Sequence, residues 1–308
     1  MNGKLEVLDG GLITTVQDKG RFGYRNFGIP VSGVMDEHAY QLANRLVANP
    51  KDAPVLEFTV QGGTFRFHTQ AVIGITGAEA DIFVNDHASQ TNRTIAVNVG
   101  DIVKISRVKA GCRIYMAIAG EWEIEKIMDS YSTCMPAGFG GFKGRKLKKG
   151  DVIFWKLSSE EIKTREVPKE FIPHYSTRQK IRIIAGPEWD WLTENQQLFF
   201  LETGFKISTQ SNRMGIRLES EAKIQTEKRE MKSAPVVPGI IQLPQDGNPI
   251  ILMKDAQSVG GYPRIAKVID ADLWRLGQIW SGNEISFNLI GMKESLKLKK
   301  YYQELRRF

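Results

Sequence analysis

Chemistry in this chain is suggested first by glycine turns carrying polar and cationic side chains. In Gly10-Gly11-Leu12-Ile13-Thr14-Thr15-Val16-Gln17-Asp18-Lys19-Gly20-Arg21, an amide, a carboxylate and a guanidinium stand beside a glycine turn. They form either a polar pocket wall or a strand that ends in a charged turn. In Gly28-Ile29-Pro30-Val31-Ser32-Gly33-Val34-Met35-Asp36, glycines permit backbone conformations that other residues avoid. A loop of this kind opening a helix presents N–H groups to an anion, and Asp36 equally serves as an ordinary N-cap. Between Gly138 and Gly150 lie Lys143, Arg145, Lys146, Lys148 and Lys149 with no acid. That segment reads as an anion site or as a solvated basic turn.

What is missing narrows the chemistry. The sequence has no GxSxG elbow and no GxxxxGK[ST] loop. His38, His68, His87 and His174 have no catalytic spacing, and Cys112 and Cys134 make neither a CxxC motif nor a zinc set. The net charge is +7, concentrated in the 140–150 segment and the tail from Lys293, without the reading elements of a nucleic-acid binder. No apolar run reaches membrane-spanning length and the N-terminus lacks a signal-peptide pattern, so the expectation is a cytoplasmic protein.

The elements that must position these residues are mostly strands. Val55 to Val60, Gly63 to Phe67, Ala71 to Ile75, Ala80 to Val84 and Thr94 to Val97 read as short strands between turns. Ala39, Leu42, Ala43, Leu46 and Val47 share one helical face after Asp36. Further helices are expected after Pro187, around Asp270 to Gly277, and in the tail, where Leu298, Tyr301, Tyr302 and Leu305 share a face. The expected division is an N-terminal subdomain 1–157, a polar linker 158–179, a C-terminal subdomain 180–292 and a helix 293–308.

Several ordered blocks together resemble a known family. Besides the two opening segments they are Ala43-Asn44-Arg45-Leu46-Val47-Ala48-Asn49, Leu56-Glu57, Thr76-Gly77-Ala78 and the 138–151 segment. Ser211-Asn212-Arg213-Met214-Gly215-Ile216-Arg217-Leu218, Gly239-Ile240-Ile241-Gln242-Leu243-Pro244 and Asp255-Ala256-Gln257-Ser258-Val259-Gly260-Gly261-Tyr262-Pro263 complete the set. In order and spacing they look like the allophanate hydrolase subunit 2 family of biotin-dependent carboxyltransferases.

The resemblance implies a mainly β fold of two cyclophilin-like β-barrel subdomains with a few short helices. It implies one component of an ATP-dependent 5-oxoprolinase that helps open 5-oxoproline to glutamate. That component would work with the enzyme's A and B subunits, with the B subunit as its direct partner. ATP with Mg2+ would be shared with those partners. Two other roles stay open: the carboxyltransferase of a urea-type carboxylase, the one reading that needs biotin, and a non-catalytic regulator of a kinase inhibitor. Asp255 and Gln257 are the expected catalytic residues. Arg145, Arg213, Gly140, Gly141, Ser32, Gly33, Gly260, Gly261, Tyr262, Gln17 and Asp18 are the expected substrate or ATP contacts, and Arg21, Lys143, Arg217 and Arg264 are further cations. The chain departs from the family pattern at Glu121, Asp129, Tyr131 and Val259; at position 131 a phenol stands where the family has an arginine.

Overall fold

A computed structural model describes residues 2–158, 162–225 and 231–305. The chain forms two compact units. One comprises the chain up to Phe22 with Ser32–Tyr175, and the other Gly23–Val31 with the chain from Ser176 onward.

The first unit is built on a ten-stranded antiparallel sheet. Its main path runs Ile13–Gln17, Val55–Thr59, Ile102–Ile118, Thr64–Phe67, Asn2–Asp9, Val152–Lys156 and Glu121–Trp122. Ile102–Ile118 also pairs with Ala71–Val84, and these two are far longer than an ordinary strand. Their register slips three times between Gly77 and Ile82. Each slip adds local bend and twist, which curls the sheet around its own core. Alternation supplies that core: Leu5 and Val7 point inward while Lys4 and Glu6 do not. Phe58, Phe65, Phe67 and Trp155 fill the centre.

The helix Glu37–Leu46 lies on this sheet through the expected face, with Ala39, Leu42, Ala43 and Leu46 buried. Asp36 caps it, its Oδ1 accepting from the N–H groups of His38 and Ala39 at 2.9 and 3.0 Å. The helix approaches so closely that a Cβ on Gly74 would stand 2.8 Å from the Ala43 carbonyl oxygen.

The second unit holds a closed seven-stranded barrel in the order Arg178–Ala185, Arg264–Val268, Ile240–Gln242, Ile250–Leu252, Gly215–Glu219, Phe205–Ile207, Glu284–Leu289. Closure comes from the parallel pairing of Arg178–Ala185 with Glu284–Leu289. The helix after Pro187 is Glu194–Glu202, with a Thr193–Gln196 capping box, and its Phe200 stacks on Phe287 at 4.7 Å.

The mainly β expectation holds, with one refinement. The second unit is a closed barrel and the first a curled half-barrel whose strand path stays open. The segment read as a linker is mostly exposed and the division between the units falls inside it, after Tyr175, but it carries anchors: Val167 is buried against Leu42 and Leu46, with Phe171 beside them, and Tyr175 is buried too. Residues 159–161 of that segment, and 306–308 of the expected tail helix, lie outside the described residues. The tail helix runs Met292–Leu305, with Leu298 and Tyr302 partly buried and Tyr301 exposed. Among the described residues no helix is long and apolar enough to cross a membrane. Cys112 and Cys134 are buried and are not joined in a disulfide.

Candidate functional site

In the first unit the opening motif becomes a buried polar knot. The Asp18 carboxylate accepts from Gly20 N at 2.8 Å, Ser130 Oγ at 2.6 Å, Tyr131 N at 2.8 Å and the Ser132 hydroxyl. Two of these donors are hydroxyls set two residues apart on one turn, and the strand end at Asp18 aims the carboxylate between them. Gln17 is fully buried, its amide donating to Thr15 Oγ1 and the Thr133 carbonyl. Arg21 donates to the Ser132 carbonyl and lies 4.7 Å over the Phe139 ring. Ser32 is buried at φ +53° with its hydroxyl unpartnered, and Gly33 presses on Gly20. Burial thus places Gln17 and Asp18 in the framework under the surface rather than on an open pocket wall.

The glycine-basic loop is likewise more structured than its composition suggests. Arg145 does not project as a free cation. Its Nη1 and Nη2 grip the two Asp151 oxygens at 2.6 and 2.7 Å. Gly140 packs on Ser132 and Arg21. Gly141, at φ +55°, leaves no room for a side chain, because a Cβ there would lie 1.9 Å from Thr133 Oγ1. The residues from Gly138 to Gly144 line a cavity of about 730 Å³ with Glu123, Glu125 and Asp151. A second cavity of about 600 Å³ is lined by Asn49, Asp52, Glu121, Lys126, Tyr131 and Lys156. Two of the departures from the family pattern, Glu121 and Tyr131, therefore face one cavity, where the Lys126 ammonium sits 5.0 Å over the Tyr131 ring.

The Arg145–Asp151 pair makes a pH prediction. The hydrogen bonds from Arg145 hold the Asp151 carboxyl below its usual range and raise the arginine's own pKa. A lowered carboxylate pKa contributes stability that is complete above the ordinary aspartate value, near about 4, and drains as pH falls through the lowered one. Arg145→Ala should cost about 1 kcal/mol at pH 7, a modest figure because the arginine is partly exposed. Urea unfolding should show the gap between wild type and variant closing below about pH 4. A gap that persists unchanged at pH 2 would rule the pair out as its source.

In the second unit, Arg213 and Asp255 form a buried pair. Nε and Nη2 of Arg213 meet the carboxylate at 2.8 and 3.2 Å, with side-chain exposures of 8% and 1%. The Asp255 N–H also donates to the Arg213 carbonyl at 2.9 Å, so backbone and side chains bind the same two residues. Asp255 is thus the anchor of the loop that follows it. Gln257, Val259, Gly261 and Tyr262 are exposed on that loop. Gly260 packs against the Gln242 amide, which donates to the Tyr262 carbonyl at 3.3 Å. Arg264 is held by Glu188 at 2.7 and 2.9 Å, while Arg217 is exposed.

Two sets of polar contacts escaped the sequence reading: the partners of Glu57, itself part of the Leu56-Glu57 block, and those of Arg25. Glu57 accepts from Tyr115 Oη at 2.9 Å and Met35 N at 2.8 Å inside the first unit, with burial and the Glu57 charge pushing the phenol pKa well up. Arg113 and Tyr115, polar positions among the apolar residues of 112–118, were the available signal. Arg25 also went unnoticed; its Nη2 donates to the Val236 carbonyl and, at 3.0 Å, to the Gln257 carbonyl. No spacing rule links position 25 to position 257.

Comparison with known proteins places these features in a lineage. The family described as carboxyltransferase domain, subdomain A and B, matches residues 27–289. The chain is 36% identical over 305 residues to the C subunit of 5-oxoprolinase from Escherichia coli K12, covering 98% of this chain and 97% of that protein. It is 34% identical to the urea amidolyase of Lachancea kluyveri over 96% of this chain but 17% of that protein. The crystal structure of Kluyveromyces lactis urea carboxylase superposes with a TM-score of 0.93 at 32% identity, covering 99% of this chain and 29% of that one.

Proposed function

The chain belongs to the carboxyltransferase domain, subdomain A and B, family, and from that premise we propose that it is the C subunit of an ATP-dependent 5-oxoprolinase. The observation that carries this reading is end-to-end similarity to a protein of that name, against a match to under a fifth of the urea amidolyase. In this reading the chain works in the cytoplasm with the enzyme's A and B subunits, the B subunit being its direct partner. Its part is to bind and position the cyclic amide while the carbonyl is activated.

This reading calls for ATP with Mg2+. Arg145, Arg213 and Arg264 are each committed to an acid, and no three His, Cys, Asp or Glu side chains among the described residues are grouped to hold a metal. The nucleotide would be held jointly with a partner of the complex, and no step is assigned to it.

A second reading is carboxyl transfer within a biotin-dependent, urea-type system, supported by the shared carboxyltransferase fold. Co-expression with the A and B subunits decides between them. The assembled complex should release glutamate from 5-oxoproline in proportion to ATP consumed, and the isolated chain should release none. A complex that leaves 5-oxoproline untouched but carboxylates urea when supplied with carboxybiotin would overturn the first reading.

A further inference from the structure

We propose that Arg25 is an oxyanion-binding residue of the second unit and takes the carboxylate of the substrate; the identity of that substrate rests on the 5-oxoprolinase reading. Arg25 begins the short 3-10 turn Arg25–Phe27, within the segment Gly23–Val31 that groups with the second unit. Its Nη2 donates to two backbone carbonyls, of Val236 and Gln257, which fixes the plane of the guanidinium. Its Nη1 is buried and makes no hydrogen bond. Burial lowers the pKa of this arginine, and no neighbouring acid acts against that.

The contrast with three other arginines of the unit carries the argument. Arg182, Arg213 and Arg264 each meet a carboxylate at 2.6 to 2.8 Å. Arg25 has carbonyl dipoles and no counter-charge among the described residues. A cation withdrawn from water without an anion is costly, and an unmade bond from a buried donor adds to that cost. A guest oxyanion would satisfy both at once, through a guanidinium already oriented for it. The Gln257 carbonyl that accepts from Arg25 belongs to the loop that exposes Gln257, Val259 and Tyr262, so the guanidinium is tied to an exposed, polar loop.

A carboxylate and a phosphate share this chemistry, and a purely structural staple is the competing explanation. Titration calorimetry on the full chain and on the assembled complex separates them, using 5-oxoproline, its neutral analogue 2-pyrrolidinone, and inorganic phosphate. Arg25→Met should weaken 5-oxoproline about tenfold or more, the effect of losing one charge-assisted contact, and leave 2-pyrrolidinone unchanged. Arg25→Lys should recover part of the loss and covers the case in which the methionine variant fails to fold. Equal weakening of acid and neutral analogue would overturn the proposal in favour of a staple. Loss confined to phosphate would overturn the carboxylate assignment, as would wild-type binding that ignores the carboxylate. If the complex proves inactive on 5-oxoproline, acetate against acetamide poses the same question of the cation alone: a wild-type preference for acetate that Arg25→Met abolishes upholds the oxyanion site, and equal binding overturns it.

Discussion

Asp18→Ala should lower the unfolding free energy of the first unit by about 3–5 kcal/mol. The carboxylate is 2% exposed and is the common acceptor for two backbone N–H groups and two hydroxyls. Removing it strands all four donors away from water. Each stranded donor costs about 1–3 kcal/mol, and partial rearrangement of the hydroxyls brings the total down to the range expected. Asp18→Asn should recover little, because its new N–H group would face donors that need an acceptor. Ser132→Ala should cost only about 1 kcal/mol, since the carboxylate keeps its other partners. Urea unfolding resolved by unit is the measurement. A loss below about 1 kcal/mol for Asp18→Ala would mean that water replaces the carboxylate and that the knot is not sealed.

The second large effect is expected at the Arg213–Asp255 pair. Asp255→Ala takes from a guanidinium that is 8% exposed the carboxylate it meets at 2.8 Å, and breaking one side of a buried pair costs about 3–5 kcal/mol. Replacing both partners, Arg213→Met with Asp255→Leu, should recover most of that loss, because no charge then remains inside. The double-mutant cycle should show strong non-additivity. Strictly additive losses would show that the two side chains do not act as a pair. In the assembled complex, Asp255→Ala should also lower turnover, since the exposed loop from Gln257 to Tyr262 begins at this anchor.

Much of the fold was legible because local rules agreed with tertiary packing. Asp36 followed by apolar residues at helical spacing gave a helix capped by that aspartate with that face buried. Alternation and turn residues gave the strands at 55–59, 64–67 and 94–97 nearly to the residue. The two strands expected at 71–75 and 80–84 are one, because glycine and polar residues between them are absorbed as bulges. The segment expected as a linker contains the division between the units, and isolated Val167, Phe171 and Tyr175 hold part of its second half against the first unit while most of its described residues stay exposed.

By itself the sequence determined the family, the strand-rich class and the residue types gathered in glycine-bearing motifs. Those depend on neighbours in the chain: periodicity, turn chemistry and ordered blocks. Tertiary structure alone decided what each charged group is for. Arg145 and Asp151 are six residues apart, and Arg213 and Asp255 forty-two, yet both arginines end on acids. Asp18 draws its hydroxyl donors from a turn more than a hundred residues later. Arg25, unremarkable in the sequence, meets the Gln257 carbonyl 232 positions away, with no acid paired to it among the described residues. Whether a charge is spent or available is set by which partner the fold brings within about 3 Å and by how much water remains, and no spacing along the chain encodes either.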